Sequence, residues 1–271
     1  VTPSELDRLL EIGELAGRAV MRVYATPFAV DFKGKDDPVT VADREANTLV
    51  CEHILRDFPG VAIVSEENDP ATFAEGLSAS EAFFVDPLDG TREFVAKNGE
   101  FCVMIGLARG GQAVAGVVVC PALERSFAGS VGNGAFEIAK DGARRAIHVS
   151  STRGLSDASL VVSRSRSAQT IDAVRDHMGV REVLAMGSAG VKAALVACGE
   201  VDGYMQPGMA GKRWDACAPD ALVRAAGGAF TEVGGAPIDY ASGELENARG
   251  MVGTNGAIHE AVLARLKRQD A

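Results

Sequence analysis

A chain of 271 residues, 47% of them hydrophobic, can bury a sizeable core as one large domain or two lobes sharing an interface, which excludes a disordered chain. Its 27 Lys plus Arg against 37 Asp plus Glu give a formal charge of -10, which argues against non-specific binding to nucleic acid or anionic membrane. Five cysteines without a C-x-x-C pair exclude a disulfide framework or a zinc knuckle, and with no leader-like or bilayer-length apolar run the expectation is a soluble, cytoplasmic protein.

Thr2-Pro3-Ser4-Glu5 has the form of a capping box with proline at the first helical position. Leu6, Leu9, Leu10, Gly13, Ala16, Val20 and Val23 then recur at helical spacing, which predicts a long first helix to about Tyr24. A charged loop with Lys33, Lys35, Asp36 and Asp37 follows. Asp43 is expected to cap a second helix with Ala46, Leu49, Val50, His53 and Ile54 on its apolar face, closed by Pro59-Gly60. Residues 61–64 read as a buried strand running into Ser65-Glu66-Glu67, and residues 82–85 as another that stops at Asp86-Pro87, where proline removes a ladder donor. Residues 101–108 and 112–119, joined by Arg109-Gly110-Gly111, form a hairpin, and residues 123–128 and 135–138 extend an antiparallel sheet. From about residue 150 strands (160–163, 180–184, 201–205) alternate with helices (167–177, 188–198, 214–226 and 257–267), with Pro219 near the first turn of its helix. That shift divides the chain into residues 1–150, which hold most candidate metal ligands, and residues 151–271, which complete the site.

Chemistry concentrates at strand ends. Asp86 and Asp89, three apart, are followed by Gly90, the hydroxyl of Thr91 and a helix-compatible Arg92-Glu93-Phe94. Alone this reads as an ordinary turn. Glu66 ends another strand and Asp215 begins a helix, and acids brought together repel one another unless a cation sits between them. Oxygen-only ligands favour a hard ion, magnesium over zinc. Four carboxylates and a phosphate dianion carry about six negative charges, which three divalent cations would neutralise. There is no G-x-x-x-x-G-K-[ST] loop, G-x-S-x-G elbow, H-E-x-x-H or G-x-G-x-x-G after a strand. His53 and His259 read as packing or surface residues, and the cysteines as small apolar groups. Arg164 and Arg166, among the hydroxyls of residues 163–167, suit phosphate or mere exposure equally. Gly187-Ser188-Ala189-Gly190 opens a helix bearing Lys192 that can receive an anion, and Lys212-Arg213 is a further basic pair beside Asp215.

Asp37-Pro38-Val39-Thr40-Val41-Ala42-Asp43, Ser65-Glu66-Glu67, Asp86-Pro87-Leu88-Asp89-Gly90-Thr91 and Trp214-Asp215-Ala216-Cys217-Ala218 together resemble, in order, the four motifs of the inositol monophosphatase-like, metal-dependent, lithium-sensitive phosphatases. Within that superfamily, Val85 through Phe94, Asn98-Gly99-Glu100-Phe101, Val162-Ser163-Arg164-Ser165 and Lys212 through Pro219 are most similar to the 3'(2'),5'-bisphosphate nucleotidases. The resemblance implies an α/β fold, a layered alternating α-β-α-β-α sandwich, with two to three Mg2+ ions and removal of the 3'-phosphate of adenosine 3',5'-bisphosphate by a metal-activated water. It implies that Glu66, Asp86 and the Leu88 carbonyl hold one ion, and Asp86, Asp89 and Asp215 a second. A third would lean on Glu66 and water, and Asp43 with Thr91 would orient and deprotonate the attacking water. Ser163, Arg166, Ser188, Lys192 and Asp215 would hold the substrate. Arg166 stands where these nucleotidases often carry histidine, and Gln206 where inositol monophosphatases tend to carry a glutamate.

The small-molecule partner is thus expected to be a phosphate ester. An inositol monophosphatase is the alternative within the class, and a non-catalytic, metal-dependent binder of phosphometabolites the alternative outside it. Monomer and homodimer are both open.

Overall fold

The helix and strand signals resolve, in a computed structural model describing residues 1–34 and 37–267, into a chain of alternating elements. Lys35 and Asp36 of the charged loop lie outside the described residues. In order the elements are α1 (Pro3–Tyr24), β1 (Val30–Gly34), β2 (Asp37–Thr40), α2 (Val41–Asp57), β3 (Ala62–Ser65), α3 (Phe73–Ser78), β4 (Glu81–Asp89), α4 (Thr91–Val95), β5 (Cys102–Arg109) and β6 (Gln112–Cys120). They continue with β7 (Arg125–Ser130), β8 (Gly134–Ile138), β9 (Arg144–Ile147), β10 (Ser159–Ser163), α5 (Ala168–Met178), β11 (Glu182–Met186), α6 (Ala189–Ala197), β12 (Gly203–Gln206), α7 (Arg213–Ala225), β13 (Ala229–Thr231), β14 (Met251–Thr254) and α8 (His259–Lys267).

Strands β3 to β9 form a seven-stranded sheet in sequence order, and β11-β10-β12-β14-β13 a five-stranded one. Helices α1 and α2 bury Leu9, Ile12, Ala46 and Val50 against Phe83, Val85, Ile105 and Val117 on one face of the larger sheet. The opposite face, through Phe84, Met104 and Val118, shares a core with Val191 of α6, Trp214 and Cys217 of α7, and Val161 and Tyr204 of the smaller sheet. Helices α5 and α8 close the far side of that sheet with Met178, Val262 and Leu263 against Leu160 and Val252. Read through the molecule the layers run α-β-α-β-α, the order expected. No helix among the described residues is long and apolar enough to cross a membrane.

Local physics accounts for the elements that were anticipated. Thr2 accepts from the Glu5 N–H at 3.2 Å while the Glu5 carboxylate accepts from the Thr2 N–H at 2.7 Å, which caps α1. Gly110 and Gly111, with φ of 56° and 76°, turn β5 into β6.

Two expectations change. Thr40 is the N-cap of α2, and Asp43 sits three residues into it with its carboxylate accepting from the Thr40 N–H at 2.8 Å. Strand β4 continues through Pro87 to Asp89, because β3 pairs only as far as Val85 and a register shift against β5 lies between Asp86 and Asp89, so no ladder donor is missed at the proline. Pro219 lies in the second turn of α7, next to the first. The β1–β2 hairpin, read as a loop, and the short strands β9, β13 and β14 were not anticipated.

Candidate active site

Strands β3 and β4 are parallel and their pairing ends at Ser65 opposite Val85, so the acids that come next in each chain segment, Glu66 and Asp86, become neighbours. The Glu66 N–H donates to the Val85 carbonyl at 3.1 Å, and the Glu66 carboxyl lies close enough to that of Asp86 for the two to repel. The β4 bulge then delivers Asp89, and α7 starts against it with Asp215 in its first turn, its carboxylate accepting from the Lys212 N–H at 2.6 Å. One carboxylate oxygen from each of Asp86, Asp89 and Asp215 lies within 4.8 Å of the others.

Burial first, then repulsion from Glu66, Asp89 and Asp215, pushes the Asp86 carboxyl well above the usual carboxylate range. Burial, then Asp89 and Glu66, does the same to Asp215. Burial also raises Glu66, against the pull of Lys33. Such a cluster holds protons unless a cation replaces them, and an all-oxygen donor set of this kind fits a hard divalent ion. The residues present therefore fit a hard divalent cation.

Around the triplet the supporting bonds are specific. The Leu88 N–H donates to Asp86 Oδ1 at 3.0 Å, and the Leu88 carbonyl, 3.1 Å from the Thr91 hydroxyl, is one of two alternative acceptors for that hydroxyl's single hydrogen. The same hydroxyl lies 3.2 Å from Asp43 Oδ1, and Asp43 Oδ2 accepts from the N–H and hydroxyl of Thr40. Burial raises the proton affinity of Asp43, and the Thr40 bonds oppose it.

Beside the acids opens a cavity of about 460 Å³, lined among others by Thr91, Ser163, Ser188, Lys192, Gln206 and Asp215. The Lys192 ammonium donates to the Ser188 carbonyl at 2.6 Å and stands 5.1 Å from the Tyr204 ring. Ser163 Oγ is 3.0 Å from Ser165 Oγ. Arg166 is half-buried beyond that turn and is not among the residues lining the cavity. Its neighbour Arg164 is taken up by Glu100, to which its Nε donates at 2.6 Å. Ser188 sends its hydroxyl to Asp89 Oδ2 at 2.5 Å. Of the Lys212-Arg213 pair, Arg213 is buried and donates to the Glu244 carbonyl and Asn247, while Lys212 lies over the Trp214 ring at 4.9 Å; both support the fold around Asp215.

Sequence reasoning gave no role to Lys33 or Glu100. The ammonium of Lys33, on β1, donates to Glu66 at 3.1 Å and also to Glu67. Burial pulls its pKa down, and the two glutamates more than offset that. Glu100 accepts from Arg164 and from the Gly187 N–H at 2.7 Å. Both contacts join segments far apart in the chain, and only the Val30-Asp31-Phe32-Lys33 alternation hinted at the hairpin.

Residues 4–271 match the model of the inositol monophosphatase family. The 3'(2'),5'-bisphosphate nucleotidase CysQ of Escherichia coli (strain K12) is 33% identical over 237 residues, covering 87% of this chain and 93% of that protein. The protein of the same name from Haemophilus influenzae is 28% identical over 235 residues, 87% of each chain. Among solved structures, the extragenic suppressor protein SuhB of Bartonella henselae superposes with a TM-score of 0.82 at 27% identity, covering 98% of this chain and 99% of that one. The inositol monophosphatase of Anabaena gives a TM-score of 0.77 at 28% identity, covering 98% and 96%.

Proposed function

This chain belongs to the inositol monophosphatase family, and from that premise we propose that it is a magnesium-dependent phosphomonoesterase that removes the 3'-phosphate of adenosine 3',5'-bisphosphate to give AMP and phosphate. The observation that carries this reading is the meeting of Asp86, Asp89 and Asp215 within 4.8 Å, beside a hydroxyl–carboxylate pair and a cavity large enough for a nucleotide. The nucleotide rather than the inositol ester is favoured by the bisphosphate nucleotidases that match at 28% to 33% identity.

Glu66, Asp86, the Leu88 carbonyl, Asp89 and Asp215 would hold two to three divalent ions. When bound, such ions neutralise the phosphate, polarise the phosphoryl group and acidify the attacking water. Thr91 orients that water: by donating to Asp43, its oxygen keeps a lone pair for a water hydrogen. As the water attacks phosphorus, its proton would move to Thr91 Oγ while the Thr91 proton moves to Asp43 Oδ1; the ester oxygen departs with AMP, takes a proton from solvent water, and Asp43 returns its own to solvent. Burial suits Asp43 to this step, since it raises the proton affinity of the group that must accept. Lys192 and Ser163, on the cavity wall, would hold the substrate's second phosphate and sugar.

Phosphate release with magnesium on adenosine 3',5'-bisphosphate and on inositol 1-phosphate tests the reading. Faster turnover of the nucleotide is expected. Preference for the inositol ester would overturn the substrate assignment, and no turnover of either would point to a binding protein.

A further inference from the structure

Ser188 adopts φ 59° and ψ 131°, a backbone conformation that residues with a side chain rarely take and that glycine takes freely. The residue before it is fixed by two contacts. The N–H of the preceding Gly187 donates to Glu100 at 2.7 Å, and the Glu93 side chain fills the space over Gly187, where an added Cβ would come within 2.3 Å of it. A glycine at 188 would relieve the backbone, so the serine side chain must do something that glycine cannot.

Its surroundings show what. The buried Ser188 hydroxyl donates to Asp89 Oδ2 at 2.5 Å and accepts from the Val191 N–H at 3.1 Å. The Gly190 N–H reaches the same Oδ2 at 2.8 Å, and the Cys102 thiol lies 3.7 Å from it. The hydroxyl's one hydrogen is therefore committed to Asp89, and one of its lone pairs to the helix. The Ser188 hydroxyl and the Gly190 N–H thus converge on one oxygen of Asp89, with the Cys102 thiol 3.2 Å from Ser188 Oγ, while a carboxylate oxygen of Asp89 lies within 4.8 Å of one from each of Asp86 and Asp215.

We propose that Ser188 is a positioning residue for a metal ligand: its hydroxyl fixes the orientation of Asp89 toward the cation and does not contact the substrate. Hydrogen bonds to a coordinating carboxylate of this kind commonly govern metal affinity by ten-fold or more. The proposal rests on the metal-dependent reading above, and the strained turn is the cost of bringing a side-chain donor to that oxygen.

The test is magnesium binding by isothermal titration calorimetry on the whole chain for wild type, Ser188→Gly and Ser188→Ala, with melting curves in EDTA and magnesium activation curves. Ser188→Gly, freed of the unfavourable φ, is expected to melt close to wild type in EDTA yet bind magnesium about ten-fold or more weakly. Its kcat should return at saturating magnesium with KM for adenosine 3',5'-bisphosphate unchanged. Ser188→Ala should lose the same affinity; if it fails to fold, the glycine variant decides alone. Wild-type magnesium affinity in Ser188→Gly, or a raised KM at unchanged magnesium affinity, would overturn the proposal. A wild-type chain that binds no magnesium would instead sink the metal reading on which it rests.

Discussion

Thr91 Oγ lies 3.2 Å from Asp43 Oδ1 across 48 residues of chain, while the other oxygen of Asp43 is tied to Thr40 at 2.8 and 2.7 Å. The pair is thus held from the Asp43 side before any substrate arrives. Asp43→Asn keeps an oxygen for Thr40 but turns an NH2 group toward Thr91, which cannot take its proton. We expect kcat to fall by about 10²- to 10⁴-fold with magnesium binding nearly unchanged. Thr91→Val should fall as far, and the double variant no further, because the two groups act as one unit. Steady-state kinetics on the three variants decides this, and additive losses would separate the roles.

The acid cluster predicts an unusual pH dependence in the absence of metal. Asp86 and Asp215 are raised, by burial first and by their acidic neighbours second, so the folded chain keeps protons that the unfolded chain releases above about pH 4. Metal-free stability from these groups therefore falls as pH rises from about 4 through the raised folded-state values. A cation binds the carboxylate forms and offsets that loss. The melting-temperature gain from magnesium over EDTA should grow from pH 5 to pH 8. A gain that shrinks over that range would contradict the electrostatics.

Lys192 is buried with carbonyl oxygens and a tyrosine ring around it; burial lowers its pKa, and Asp89 and Glu93 oppose that. A second phosphate on the substrate would give it a strong partner. Lys192→Ala should raise KM for adenosine 3',5'-bisphosphate about 10- to 100-fold, the range for a lost bond to a charged group, and KM for a simple phosphate monoester much less. Equal increases on both substrates would make Lys192 a support for the α6 turn instead.

What could be read without coordinates was local. The capping box of α1, the Gly110-Gly111 turn and the acids at the ends of β3 and β4 each declare themselves within a few residues. What could not be read depended on distant partners. Pro87 is tolerated in β4 because β3 stops pairing at Val85, and Arg164 is withdrawn from phosphate duty by Glu100, 64 residues away. The β1 strand is largely exposed and so lacks a buried face to betray it. Ser188 illustrates the same limit: a hydroxyl at a helix start looks like an anion site until Asp89 is seen against it.

Asp220, buried on α7, accepts from the Tyr240 hydroxyl at 3.1 Å and from Arg224 at 3.4 Å. Burial pushes its carboxyl up to about 7, with Arg224 and Tyr240 holding it back. Since the folded value lies above the unfolded one, stability from this group is full below about pH 4 and is lost as pH rises to 7. Asp220→Asn keeps an acceptor for Tyr240 and removes the titration. Urea unfolding should show it on the order of 1–3 kcal/mol more stable than wild type at pH 8, with no gain at pH 4. A variant less stable at pH 8 would show that the ion pair with Arg224 outweighs the burial of charge.

Asp215 reaches the site because α7 lies directly on the larger sheet, backbone against backbone. Gly106 and Gly116 are paired across β5 and β6, and a Cβ at either would come within 2.6 Å of the Ala218 nitrogen or 2.3 Å of the Ala218 oxygen respectively. Neither obstacle is a side chain that can swing aside. Gly116→Ala must therefore lift the helix, at a cost of about 1–3 kcal/mol, and in lifting it moves Asp215 away from Asp86 and Asp89, which ride on β4. Lower stability and weaker magnesium binding should appear together, measured by thermal melts and calorimetry. Gly132→Ala is the control: with φ 87° and open space around it, it should lose stability through its backbone alone and bind magnesium as wild type does. If Gly116→Ala loses stability but keeps full magnesium affinity, the seating of α7 on these two glycines does not set the position of Asp215.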